Sequence, residues 1–172
     1  MGVVGVTRGG GNGGGAGAGT SERAVERGGG LATFGVFGAA KAVGPARQER
    51  GRGTILVTSA TAALRGNAGQ HSHAAAMGGR RMLCQSLNAE FAAKGIHVAH
   101  VVIDGAVDAP DTLGKMLGPE RFQQLRESRG LAPDGLLLPA DVADPPFHLP
   151  QPHRPARTVA LHRPPHPHPP RA

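Results

Sequence analysis

A chain of 172 residues has the length of one domain, yet 28 Gly, 15 Pro, five Phe and neither Trp nor Tyr leave it little bulk to bury. Its formal net charge of +7, carried mostly by arginines scattered among Gly and Pro, attracts polyanions without selecting one, and the lack of Tyr and Trp for base stacking excludes specific nucleic-acid recognition. The expectation is a modest core within residues 34 to 138, between weakly ordered ends.

The first thirty residues hold thirteen glycines, and Gly9 to Gly19 is close to low complexity, which reads as a flexible arm. Within it Val3-Val4 is followed by Gly5, Gly9 and Gly11, a spacing that could also turn the chain sharply after a strand and offer backbone amides to a phosphate. Leu31 to Ala46 carries Phe34, Phe37, Ala40 and Val43 at helical spacing, with Gly44-Pro45 weakening or ending the helix and Arg47 to Gly53 as a polar connector. Thr54 to Thr58 and Val98 to Ile103 are runs of strand length rich in Val and Ile. The segment between them fits a loop and one crossover helix, so the two strands are expected to lie parallel.

That helix is placed at residues 74–94 on an apolar stripe of Leu83, Leu87 and Phe91, broadened by Met82, Ala89 and Ala93, with Arg80, Arg81, Asn88 and Lys94 elsewhere or at its edge. Lys94-Gly95 closes it with a last-turn cation and a residue able to take positive φ, while Gly78-Gly79 weakens it unless another backbone approaches there. Past Gly105, Asp111 or Thr112 could cap a short helix, Pro119 to Arg129 forms another with Phe122 and Leu125 on its apolar side, and Pro139 to Val142 leads into a last short one. From Pro145 onward proline recurs too often for a helix, and at most a short strand fits, at Thr158 to Leu161, in an extended and mobile tail.

Alternating helices and strands point to an α/β fold, in which ligands bind at the carboxyl ends of parallel strands. A site is therefore expected near Ser59 to Gly66 and Asp104 to Ala109. Cys84, the single cysteine, lies in the helical stretch and reads as a buried thiol; it also excludes an intramolecular disulfide. The nine histidines, with His71 and His73 and then His166 and His168 as the closest pairs, form no three- or four-ligand set with fixed spacing, so no metal site is expected. Neither an eighteen-residue apolar run nor a charged-then-apolar N-terminus is present, which excludes a membrane span and a secretory signal and leaves the cytoplasm as the default compartment.

The block from Gly53 to Ala106, with TILVTSATAALRG, AAAMGG and GIHVAHVVIDGAVDAPD as its most specific parts, resembles the second half of a short-chain dehydrogenase/reductase. The resemblance runs from about Phe34 to Leu138. It implies a partial Rossmann-like parallel sheet with flanking helices over residues 31–144, a Gly-rich segment with a vestigial phosphate loop over 1–30, and a Pro/His/Arg-rich tail over 145–172. It further implies an NAD(P)-dependent oxidoreductase acting on a carbonyl or alcohol, with NAD or NADP as cofactor, and a homo-oligomer formed through helix 74–94.

Residue by residue, however, the family's reactive side chains are missing. The serine place is Ala60, with Ser59 beside it; the tyrosine place is His73, the lysine place Met77 and the asparagine place Gly35. In the family the tyrosine phenol exchanges a proton with the substrate oxygen while the lysine lowers the phenol pKa and holds the ribose. A thioether carries no charge and donates no hydrogen bond, and an imidazole would have to work without an orienting lysine. Gly5, Gly9 and Gly11 match the phosphate-loop glycines, and Asp104, Gly105 and Val107 match the loop beside the nicotinamide. Only about twenty residues separate Gly11 from Phe34, far fewer than the family carries there. The expectation is a family member that has lost catalysis; the alternative is a noncatalytic remnant or helix-mediated interaction module.

Overall fold

The computed structural model describes residues 20–129, 135–140, 142 and 159–162, the last four by backbone alone. It divides into two compact units, Met1–Val102 with Gln151–Leu161, and Ile103–Pro150 with His162–Ala172.

In the first unit, Ser21 starts helix α1 (Glu22–Gly29): its backbone is extended and its Oγ accepts the Ala24 N–H at 3.2 Å. A π-helical turn, Gly30–Phe34, leads without interruption into α2 (Gly35–Glu49). Residues 22–29 are thus helical inside the stretch read as a glycine-rich arm, because a capped, charged turn outweighs the entropy cost of the glycines behind it. Gly28 also fits against the start of the helix at Ser72, where an added Cβ would sit 3.3 Å from the Ser72 carbonyl oxygen. Nor does Gly44-Pro45 end the second helix. Gly44 packs under the Phe91 ring, with an added Cβ 3.3 Å from Cζ, and Arg47 Nη1 donates to the Val43 carbonyl at 3.2 Å, so packing carries α2 past the proline to Glu49.

Strands β1 (Gly53–Ala60) and β2 (Ile96–Ile103) lie side by side and parallel, joined by α3 (His71–Phe91), as their composition and spacing imply. A third strand, β3 (Val159–His162), adds to β2 within the tail, where a short strand was the most the prolines allowed. The main core joins Val36 and Ala40 of α2, Ile55 and Val57 of β1, Cys84, Leu87 and Phe91 of α3, and Ile96 and Val98 of β2. Ala99 and Val101 are buried as well, so β2 is covered on both faces in the manner of a parallel strand.

The face that α3 buries keeps the expected Leu87 and Phe91, with Leu83 packed at its side, but not the residues expected to broaden it. Its buried line is Met77, Arg80, Cys84, Leu87 and Phe91, stepping by three and four, with Asn88 beside it. Met82 is 60% exposed and Ala89 and Ala93 face solvent. Two polar residues sit inside because each completes a backbone hydrogen bond: Arg80 donates to two carbonyls, and Asn88 Oδ1 accepts the Val98 N–H at 2.9 Å. Gly79 lies beneath Thr33, whose Oγ1 would be 2.9 Å from an added Cβ, whereas Gly78 faces open space. The helix then tightens into a 3₁₀ turn, Ala92–Lys94, and stops at Gly95 with φ +73°.

The second unit begins at the end of β2. Val107 forms a parallel bridge with Leu137, and the Asp108 and Leu137 amides donate to the Leu137 and Ala106 carbonyls at 2.8 and 2.9 Å. A π turn, Pro110–Gly114, starts from Ala109 rather than from an Asp111 or Thr112 cap, since Pro110 at its first position already supplies the helical φ. Helices α4 (Lys115–Leu117) and α5 (Pro119–Arg129) follow, and Phe122 is buried against Gly114 as the sequence implies. Val142 donates to Leu138 in a single helical turn.

Candidate active site

The carboxyl end of β1 delivers Ser59 and Ala60, and the 3₁₀ turn Thr61–Ala63 folds directly behind them. Ser59 is buried, and its Oγ donates to Met77 Sδ at 3.4 Å across the start of α3. Met77 is itself 3% exposed and belongs to a second apolar cluster with Ala32, Ala62, Ala63 and Ala76, against which Ala60 packs. Ser59, Ala60 and Met77 therefore meet in space, in an alanine-lined nest around a thioether.

His73 stands one turn before Met77 on α3. Burial, and then the positive charge of Arg80, hold its pKa below the ordinary imidazole value, so the ring is neutral near pH 7. Its Nδ1 is buried without a hydrogen-bond partner among the described residues, so nothing there fixes a tautomer for proton transfer. Gly35 begins α2 at the end of the π turn. It offers no side chain, although π turns recur where a helix serves a site.

Arg80, expected away from the apolar stripe or at its edge, is buried instead and organises this region. Its Nε donates to the Ala32 carbonyl at 2.9 Å and its Nη1 to the Thr58 carbonyl at 2.7 Å, which ties the π turn to the end of β1. Thr33 Oγ1 adds a bond to the Ala76 carbonyl at 3.1 Å. The three-and-four spacing of Met77, Arg80, Cys84, Leu87 and Phe91 was the available signal, hidden because one member is charged. Beside Arg80, burial pushes the Cys84 thiol up to about 11, which keeps it protonated and inert.

Asp104, Gly105 and Val107 lie in the second unit, with Asp104 partly buried, Gly105 exposed and Val107 held by its bridge to Leu137. The charged feature of that unit is Asp108, which receives Arg126 Nε and Nη2 at 2.8 Å each while the guanidinium lies 5.3 Å from the Phe122 ring centroid. Gly5, Gly9 and Gly11 lie outside the described residues. Among the described residues, no group of three or more His, Cys, Asp or Glu is placed to hold a metal ion, and no helix is long and apolar enough to cross a membrane.

A nicotinamide ribose needs a cation or a hydrogen-bond donor beside it. Met77 offers only sulfur, already engaged by Ser59, and Arg80 has turned two of its three nitrogens to backbone carbonyls. The described residues at this end do not fit the dinucleotide.

Comparison with known proteins accords with the fold. The profile of the short chain dehydrogenase family matches residues 6–114, more than half of the chain. The chain belongs to that family. A solved short-chain dehydrogenase from Streptomyces avermitilis is 29% identical with a TM-score of 0.55, covering 60% of this chain and 38% of its own. One from Rhodopseudomonas palustris, at 24% identity and a TM-score of 0.54, covers 84% of this chain and 54% of its own. The bulky-bulky ketone specific alcohol dehydrogenase from Comamonas testosteroni, at 23% and 0.54, covers 72% of this chain and 52% of its own. The chain thus spans about half or less of the length of these three. No curated protein matches its sequence.

Proposed function

We propose that this chain is a short-chain dehydrogenase fold that has lost the family's NAD(P)-dependent carbonyl and alcohol chemistry. The observation that carries the reading is the Ser59–Met77 contact inside the alanine-lined nest, where the reaction requires an acid, a cation and an oriented hydroxyl. His73 is neutral and could accept a proton, but a lowered pKa makes its conjugate acid scarce when a carbonyl must be protonated. A three-stranded sheet among the described residues also provides less of the surface on which a dinucleotide is laid out.

A second reading, an interaction module, has its own support. Leu31, Phe34 and Phe37 are 52%, 71% and 45% exposed along the π turn and α2, and Met82 is exposed on α3. Apolar surface of this kind is commonly covered by a partner, and here the partner is a second copy of the chain meeting it along α3. The deciding assay measures NAD(P)H turnover over a carbonyl panel for the native chain, for His73→Ala, and for the combined Ala60→Ser, His73→Tyr, Met77→Lys variant. Silence in the native chain is expected. Robust native turnover abolished by His73→Ala would overturn the proposal and make His73 a replacement acid/base. Light scattering of native chain against Phe34→Ser/Phe37→Ser tests the second reading, which fails if both run as monomers.

A further inference from the structure

His100 is fully buried in the middle of β2, and neither Nδ1 nor Nε2 finds a hydrogen-bond partner among the described residues. Strand alternation sets it on the same face as Ile96 and Val98, which pack on α3. Because α3 runs against the strands, the residues beyond Val98 meet earlier turns of the helix, where Arg80 and Arg81 lie. Their charges reach the ring and, after burial itself, hold it neutral. Arg80 Nη2 and Arg81 Nε are likewise buried without a partner among the described residues.

The ionisable surroundings are one-sided. From α3 come Arg80, Arg81 and the protonated thiol of Cys84; α2, which shares this core, brings buried Arg47, with Lys41 and Glu49 exposed; β1 has no ionisable residue; His97 of β2 alternates to the other face; β3 contains by sequence only His162. No carboxylate stands on these elements within the core to offset an added proton. We propose that His100 is an acid-sensitive latch, whose protonation sets a third positive charge against Arg80 and Arg81 and releases the Arg80 clamp, freeing the Gly30–Phe34 turn from α3 and the end of β1.

The sign follows from linkage. The folded ring titrates at about 4 rather than 6.5, so between those values the unfolded chain binds the extra proton and stability falls as pH falls. The test compares urea unfolding of the native chain and His100→Leu at pH 7.5 and pH 5.0; both keep every other histidine. The native unfolding constant should rise at least about tenfold more than that of the variant. Equal pH dependence within about twofold overturns the latch. Hydrogen exchange under the same conditions should show amides of residues 30–34 losing protection first in the native chain; uniform loss across the fold overturns the released turn. Should His100→Leu fail to fold, ring NMR of the native chain decides, since a His100 that titrates near 6.5 with the sheet unchanged sinks the proposal.

Discussion

Ser59 gives its hydroxyl hydrogen to the sulfur of Met77 across 3.4 Å, and both are sealed from solvent. A hydroxyl and a thioether form a weak pair, so what holds this corner is the packing of Met77 among Ala32, Ala62, Ala63 and Ala76. The two substitutions should therefore behave very differently. Ser59→Ala should cost about 1 kcal/mol or less, because donor and bond disappear together. Met77→Lys should cost on the order of 3 kcal/mol or more, because it leaves an ammonium without a counter-charge in an apolar nest. Denaturant midpoints of the two variants check the order, and equal losses would show that the hydroxyl matters as much as the packing.

Gly95 and Gly78 make a second contrasting pair. At Gly95 the backbone is left-handed, and an added Cβ would collide with the Gly51 carbonyl oxygen. Gly95→Ala should lose about 2 kcal/mol or more, combining conformational strain with displacement of the β1 entry. Gly78 has no atom within 4 Å of an added Cβ, so Gly78→Ala should gain about 0.5 to 1 kcal/mol of helix stability. Thermal unfolding of both variants reads the two signs, and destabilisation by Gly78→Ala would mean that something else occupies that space.

Asn88 binds the backbone of β2 through one bond, Oδ1 accepting from the Val98 N–H at 2.9 Å, in a buried setting. Replacing it with leucine strands that amide, at about 1 to 3 kcal/mol. Asn88→Asp should recover much of this loss, since a carboxylate oxygen can accept the same N–H. If leucine is tolerated and aspartate is not, volume rather than the hydrogen bond decides the position.

These positions show which parts of the fold could be read from the sequence. β1, β2, the crossover helix, α5 and its Phe122 followed from apolar runs, a glycine stop and a proline start, signals that are local and were satisfied locally. The burial of Arg80 and Asn88 did not follow, because polar side chains go inside only when a particular carbonyl or amide needs them, and that need arises from tertiary geometry. α1 was hidden by composition: the Ser21 cap before Glu22 was present, but the surrounding glycines spoke louder. At the site, the structure brings Ala60, Ser59 and Met77, the positions named through the family resemblance, to one corner. Spacing along α2 could not reveal the π turn before Gly35, which depends on the hold that Arg80 and Thr33 keep on it.

Asp108 and Arg126 should govern the acid limb of stability. The Arg126 guanidinium donates two hydrogen bonds to the carboxylate and holds it below its usual range. A carboxylate lowered in this way contributes stability that is present above its unfolded value and is lost as pH falls through the folded one. Asp108→Asn should therefore flatten the decline below about pH 4 while lowering stability at pH 7. An unchanged acid limb in the variant, measured by urea midpoints from pH 5 to pH 2.5, would assign that decline to other carboxylates.

The sharpest prediction concerns the cofactor. NADH and NADPH should bind the native chain more weakly than about 1 mM if, as proposed, Met77 stands where a ribose-holding cation is needed, since the Arg80 guanidinium is committed to Ala32 and Thr58. Titration by calorimetry, with nicotinamide fluorescence as a second readout, measures this directly. Arg80→Met distinguishes the two reasons for weakness. If the arginine is only a structural clamp, the variant loses stability and binds no cofactor, as the native chain does. If Arg80 instead swings to the ribose when a dinucleotide arrives, the native chain will show saturable binding that the variant lacks. Micromolar affinity in the native chain would then make the Met77 nest irrelevant to binding and restore the family's cofactor role to this fold.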